Sequence, residues 1–369
     1  MGPFSWTLRP ALTGSTSVIS LETAKAGIVG KPLRTIAEYT NNLKIRLQGD
    51  CDPDREVQIQ NSSGQGSGFA PVGTSMTMSS TLEEKIELRS AEEKKKIVSE
   101  VNGVPLEHEF FVDDLHKICA DAEELAINGE VIDETLLELK LDAHPEKSGI
   151  LVFGRKREAL KAKIRDRPTT IQGFNLQFKE NETYLGMVFS ELGANDSITQ
   201  TLEKRKYKCY TKAGELARKA EDDRLLSLGW LAVIKQLYNG IVVPTLTYGC
   251  AAFTGMTKQH LKTLESIQRT CLISMLGISY KTNYRALLYV LGIMPVVDVV
   301  KKLQIGFVND FIHLKGSGIC LKTLQKDEQA GRIMGLLEEV RGYCKQYGNQ
   351  DVTKEYVHLN EIRKKIIHQ

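Results

Sequence analysis

Apolar positions recur with short, mixed periods in the first half of the chain and with an almost unbroken helical period in the second. Residues 1–22 show no clear periodicity, and their Gly, Ser, Thr and Pro content reads as an irregular start. Ala26, Ile28, Leu33, Ile36 and Tyr39 fall at helical spacing, and the alternating Leu43, Ile45 and Leu47 predict a strand. Asp50–Arg55 reads as a turn before a second alternating run, Glu56–Gln60. A charged helix is expected over Leu82–Val101, where Glu and Lys stand at i,i+4 spacing. Glu107–Val112 and Leu115–Cys119 are apolar-rich arms that meet at Asp113-Asp114, the pattern of a hairpin. Ala120–Ile127 and Val131–Leu141 read as one broken helix or two short ones. Gly149–Phe153 reads as a strand ended by Gly154, and Thr183–Phe189 as another short strand.

Beyond the cap signal Asn195-Asp196-Ser197 the pattern is helical. Thr257 is expected to cap a helix whose apolar face includes Leu261, Leu264, Ile267, Cys271, Leu272 and Met275, and Gly277 to stop it. The fold class is therefore α+β: an irregular start over 1–22, an α+β region over 23–192, helices over 193–320, and a polar helical tail over 321–369.

Composition narrows the function classes only a little. Of 369 residues, 41% are hydrophobic and 26% charged, enough apolar material for a sizeable core. A net charge of +3 does not by itself indicate a nucleic-acid partner. Two segments are locally basic, however: Arg155–Arg167 and Lys204–Lys219 each carry seven Lys or Arg. The seven cysteines are scattered without zinc-site spacing, which reads as reduced thiols, several of them small core residues. Met1–Pro10 lacks a secretory pattern, and Leu225–Phe253 is interrupted by Lys235, Asn239, Gly240 and Pro244, so no membrane span is expected there. The expectation is an intracellular protein, nuclear or cytoplasmic, that is not secreted.

The chemistry-bearing candidate is the Asp113-Asp114 pair. Adjacent carboxylates at a rigid hairpin tip form a hard-oxygen site suited to Mg²⁺ and phosphates, and Phe110, Phe111 and Val112 are expected to anchor that tip in the core. Taken alone, Asp-Asp is more often an ordinary surface turn. The surroundings change this. Phe111-Val112-Asp113-Asp114 within apolar arms, followed by Leu137–Phe153 (LELKLDAHPEKSGILVF), resembles the palm of non-LTR retrotransposon reverse transcriptases. Gly64-Gln65-Gly66-Ser67, with Gln65 standing 48 residues before Asp113, is similar to that family's nucleotide- and template-contacting block. Thr183-Tyr184-Leu185-Gly186 resembles its primer grip. Tyr238, Val243-Pro244, Leu246, Tyr248-Gly249, Leu264-Glu265, Gln268-Arg269 and Leu291-Gly292 resemble the thumb and the region after it.

The resemblance implies a partial right-hand polymerase: a palm of antiparallel sheet and helices over 23–192 and a helical thumb and connection over 193–320. It implies RNA-directed DNA polymerase chemistry with Mg²⁺ (or Mn²⁺) at Asp113 and Asp114. Gly64, Gln65, Gly66 and Lys147 would then meet the nucleotide and template, and Leu185 and Gly186 would hold the primer end. RNA template, DNA primer and deoxynucleoside triphosphates are the implied partners. Read singly, Lys147 is a solvated loop lysine and Gly-Gln-Gly a flexible turn. Arg155, Lys156, Arg157, Lys204, Arg205 and Lys206 are candidates for phosphate contacts, against an equal reading as solvated charge.

One part of the family pattern is missing. Its first block is a strand ending in aspartate, and Met1–Leu21 contains no aspartate; Thr16–Ser20 is the candidate remnant strand and Glu22 the nearest carboxylate. The fingers are absent as well, so an N-terminal truncation and impaired or absent activity of the isolated chain are expected. The alternative function is a non-catalytic nucleic-acid-binding remnant of the same domain. A helical interaction protein using the Leu261–Met275 face is the third reading, which core packing explains more simply.

Overall fold

The computed structural model describes residues 4–8, 10–11, 30–41, 44–46, 56–58, 70–101, 104–106, 108–111, 114–222, 228–314, 335–347, 352 and 357–359. The chain divides into two compact units, Met1–Glu182 and Thr183–Gln369. Helices and strands are both present, so the fold is α+β.

The first unit is built on a five-stranded sheet whose order is β13 (Gln177–Phe178), β10 (Gly149–Val152), β1 (Phe4–Leu8), β8 (Asp114–Cys119) and β7 (Glu109–Phe111). Its central strand is β1 (Phe4–Leu8), which corrects the expectation of an irregular start: these residues pair antiparallel with β8 (Asp114–Cys119) on one side and β10 (Gly149–Val152) on the other. The signal is present in the sequence, since Phe4, Ser5, Trp6, Thr7 and Leu8 alternate apolar and polar at the two-residue period of a strand. The sheet is not wholly antiparallel, since β13 (Gln177–Phe178) runs parallel to β10. The helical spacing through Tyr39 falls on α1 (Lys31–Asn41), and the two strands expected after it are β3 (Lys44–Arg46) and β4 (Glu56–Gln58), which pair antiparallel.

The charged helix expected over Leu82–Val101 is two helices, α2 (Ala70–Glu87) and α3 (Ala91–Ile97). Ser90 breaks it: its hydroxyl accepts from the Glu93 backbone N–H while the Glu93 carboxylate accepts from the Ser90 N–H, a reciprocal cap that starts a new helix. Conversely, Ala122–Leu139 is a single helix, α4, continuous through Asn128-Gly129. Asp121 caps it by accepting from Glu123 and Glu124, both at 2.9 Å. Gly129 is a packing residue: a Cβ there would lie 2.4 Å from Thr169 Cγ2. The core of this unit joins Leu115 and Cys119 of β8, Ile150 and Val152 of β10, and Leu125, Ile132 and Leu136 of α4.

The second unit is helical after an initial hairpin. What reads as one strand over Thr183–Phe189 is β14 (Asn181–Tyr184) and β15 (Met187–Ser190), joined by Leu185 (φ 47°) and Gly186 (φ 76°). Positive φ at both turn residues gives the twist that a tight hairpin needs. Helix α6 (Ala194–Asp222) follows α5 (Arg157–Asp166) of the first unit in the chain and starts one residue before the expected cap signal. Its inward stripe of Ile198, Leu202, Cys209 and Ala213 packs in one cluster with Leu264, Ile267, Cys271 and Leu272 of α9 (Lys258–Leu276). Thr257 caps α9 and Gly277 ends it at φ 63°, as expected. Between α6 and α9 lie α7 (Leu228–Leu237) and α8 (Val243–Thr247), with Pro244 in the first turn of α8. Helices α10 (Tyr284–Leu291), α11 (Val296–Asn309) and α12 (Leu336–Gln346) complete the unit. The five described cysteines, Cys119, Cys209, Cys250, Cys271 and Cys344, are free and buried. Among the described residues no helix is long and apolar enough to cross a membrane.

Candidate functional site

Asp114 is the first residue of β8 and pairs with Phe111, the last of β7 (Glu109–Phe111). Asp113 lies outside the described residues, as do Val112 and the block Gly64, Gln65 and Gly66. One expectation fails here: Phe111 does not anchor the hairpin in the core but stands 55% exposed. β7 is an edge strand, and Phe111, paired with Asp114, lies on the sheet face opposite Leu115, Lys117 and Cys119. The anchoring comes instead from the returning strand, where Leu115, Lys117 and Cys119 are buried on one face.

The sheet brings Asp114 and Lys147 to the same end. β8 and β10 run in the same direction on either side of β1, with Thr7 opposite both His116 and Gly149. Asp114 begins β8, and Lys147 stands two residues before β10, two strand spacings away, or about 10 Å. The turn holding Lys147 is fixed through its backbone: its N–H donates to His144 O (3.1 Å), and its carbonyl accepts from Lys179 Nζ (2.8 Å). Lys179 is in turn held by Glu182 at 2.5 Å, while the Lys147 side chain is exposed. Gly149 permits this clamp, since a Cβ there would meet Lys179 Cε at 2.7 Å. Nothing in the sequence marks Lys179 for this role.

A polar interior lies behind the same hairpin. Lys117 is 1% exposed, and the neighbouring charged and polar groups are His108, Glu109 and Glu124. Burial raises the Glu124 carboxyl to about 7 against the opposing pull of the Ala120 N–H and Lys117. Burial, aided by Lys117, lowers His108 to about 3. Asn128 donates to Glu124 O at 2.8 Å and lies beside His108.

Other predicted residues are placed elsewhere. Arg155, Lys156 and Arg157 follow the opposite end of β10 from Lys147; Arg155 and Lys156 are exposed, while Arg157 pairs with Glu158 at 3.6 Å. In the second unit, Lys204 Nζ donates to Thr183 Oγ1 (2.7 Å), tying α6 to the strand that leads into Leu185-Gly186. Lys206 pairs with Glu203 at 3.1 Å. Arg205 is a correction: it is 4% exposed, bonded to Cys250 Sγ and Leu246 O, and packed on the rings of Tyr248 and Phe253, so it is no phosphate contact. The signal was present, because Ile198, Leu202, Arg205, Cys209 and Ala213 fall on one helical stripe.

For a two-metal centre the described side chains are insufficient. β1 carries no carboxylate between Phe4 and Leu8, and among the described residues no group of three or more His, Cys, Asp or Glu could hold a metal ion. Asp114 and Asp113 are adjacent carboxylates in sequence; Thr16–Ser20 and Glu22, the candidate remnant of the first block, lie outside the described residues. No protein-family model matches the chain, and no curated protein matches it either.

Proposed function

We propose that the chain is a reverse-transcriptase-like protein of the non-LTR retrotransposon class, weak or inactive as a polymerase by itself. The observation that supports this reading most is the common position of Asp114 and Lys147 on strands flanking β1. A carboxylate and an exposed ammonium at one sheet end form a pair suited to a nucleoside triphosphate, the lysine meeting phosphate oxygens as a point charge. The Asp113-Asp114 tip would hold a divalent cation such as Mg²⁺, which would neutralise phosphate charge, because bare carboxylates repel a triphosphate. With no carboxylate on β1, weak or absent polymerase activity is expected, since phosphoryl transfer depends on charge neutralisation at both attacking and leaving oxygens.

A second reading, a non-catalytic nucleic-acid-binding protein, is favoured by the exposed Arg155 and Lys156 and by the basic outer face of α6. Two measurements separate these. Primer extension on an RNA template with Mg²⁺ is run on the chain and on Asp113→Ala and Asp114→Ala. Trace extension abolished by either substitution supports the polymerase reading, whereas none in any form leaves the binding reading. Binding to a primer–template duplex at two salt concentrations then tests the latter, and affinity that is absent or salt-independent rules it out.

A further inference from the structure

A cavity of about 690 Å³ lies wholly within the second unit, among α9, α10, the start of α11 and the end of α12. Its size is that of a small-molecule site. Two carboxylates line it, Glu265 and Asp298, together with three tyrosines, Tyr284, Tyr289 and Tyr347. The two carboxylates differ in one respect. Asp298 accepts from the Tyr347 hydroxyl (2.6 Å) and lies 3.5 Å from Lys301 Nζ. Glu265 makes no hydrogen bond or ion pair among the described residues.

The Asp298 side of the cavity shows what such walls accept. Lys301 Nζ sits 5.6 Å from the ring centres of both Tyr343 and Tyr347 and within 3.3 Å of Gln346 Oε1, a cation held by ring faces, a carboxylate and an amide oxygen. The Glu265 side repeats the ingredients with no cation of the described chain bound to its carboxylate: Tyr284 lines the cavity with Glu265 and Asp298, and burial and then both carboxylates raise its phenol. The Tyr284 hydroxyl is turned away to donate to Gln268, so its ring rather than its oxygen remains for a ligand. Tyr289 stands 85% exposed at the rim, far more open than a side chain with a packing role. Arg285 is also exposed, where water screens its charge, and Lys235, whose Nζ approaches Gly292, is not part of the lining.

We propose that this cavity binds an organic ammonium, its charge against Glu265 and its apolar part against the rings of Tyr284 and Tyr289. Ring faces attract cations by their quadrupoles, and a half-buried carboxylate adds charge at lower dielectric than bulk water. The site does not depend on the reverse-transcriptase reading. The cation could be a small aromatic amine or the lysine side chain of a peptide.

Calorimetric titration of the full chain with phenethylamine, and with the neutral isostere 2-phenylethanol, tests this directly. The amine is expected to bind at least about ten-fold tighter, a difference near 1.4 kcal/mol. Glu265→Gln should erase that preference, and Tyr289→Ala, which changes an exposed side chain, should weaken the amine several-fold without lowering the thermal midpoint. Equal binding of amine and alcohol, no saturable binding, or an undiminished preference in Glu265→Gln overturns the proposal. Nα-acetyl-lysine amide forms the second arm: affinity equal to phenethylamine assigns the site to a peptide lysine, and weaker affinity assigns it to an aromatic amine.

Discussion

Arg205, midway along α6, donates to the sulfur of Cys250 across 3.3 Å and leaves its second terminal nitrogen buried without a partner among the described residues. A guanidinium in that position holds the segment after α8 against α6 but is costly to desolvate. Arg205→Ala is expected to destabilise the protein by about 3 kcal/mol, through lost packing and a cavity, as read by urea unfolding. Arg205→Met, which fills the same space without charge, should lose much less. If Arg205→Ala instead left stability intact and flattened the salt dependence of duplex binding, the residue would be a phosphate contact after all.

Gly129 should invert a familiar rule. Alanine in place of a mid-helix glycine ordinarily stabilises by about 1 kcal/mol. Here the added methyl would lie 2.4 Å from Thr169 Cγ2, so Gly129→Ala should destabilise, by about 1–3 kcal/mol. In the background of Thr169→Ser, which removes that methyl, the same substitution should become neutral or favourable. A double-mutant cycle by thermal unfolding checks the change of sign.

The Leu185-Gly186 and Tyr248-Gly249 turns offer a graded comparison. Gly186→Ala (φ 76°) meets only Tyr248 at 3.4 Å, whereas Gly249→Ala (φ 67°) would strike Met187 Sδ at 2.6 Å. Both carry the left-handed penalty of roughly 1 kcal/mol, and Gly249→Ala should cost more by the steric amount. Met187→Ala should recover that excess. Leu185, left-handed at φ 47° without being glycine, should be improved by Leu185→Asn in the same assay.

Glu124 and His108 give opposite pH dependences within the first unit. Glu124 is raised to about 7 from 4.5, so between these values the native state holds the extra proton and stability falls as pH rises. His108 is lowered to about 3 from 6.5, so stability falls as pH drops from 6.5 toward 3. The two slopes offset between about 4.5 and 6.5, where wild-type stability should be nearly flat. Glu124→Gln should expose the histidine slope and raise stability at pH 8; His108→Gln should expose the glutamate slope. Denaturant midpoints across pH 4 to 8 measure both, and identical profiles for all three proteins would refute the assignment.

Local chemistry was legible in the sequence where the signal is local. The Thr257 and Gly277 helix ends, the strands β3 and β4 and the pairing of β7 with β8 follow from caps and alternation that act over a few residues. The break at Ser90 is also written locally, in Ser90 and Glu93, but the i,i+4 charge pattern running across it masks the cap. Burial of Arg205 is hidden for a different reason: within a basic run its charge obscures the stripe it shares with Leu202 and Cys209.

By itself the sequence determined the α+β order of elements, the helical second half and the paired aspartates, because period, caps and turn residues are properties of neighbouring positions. Only the tertiary structure decided that Phe4–Leu8 is the central strand and that Asp114 and Lys147 share one end of the sheet. It alone exposed Phe111, buried Arg205 and left Glu265 facing a cavity. Each of these depends on which distant segments pair or pack. That is set by burial of the whole apolar surface at once, and no short stretch of residues carries it.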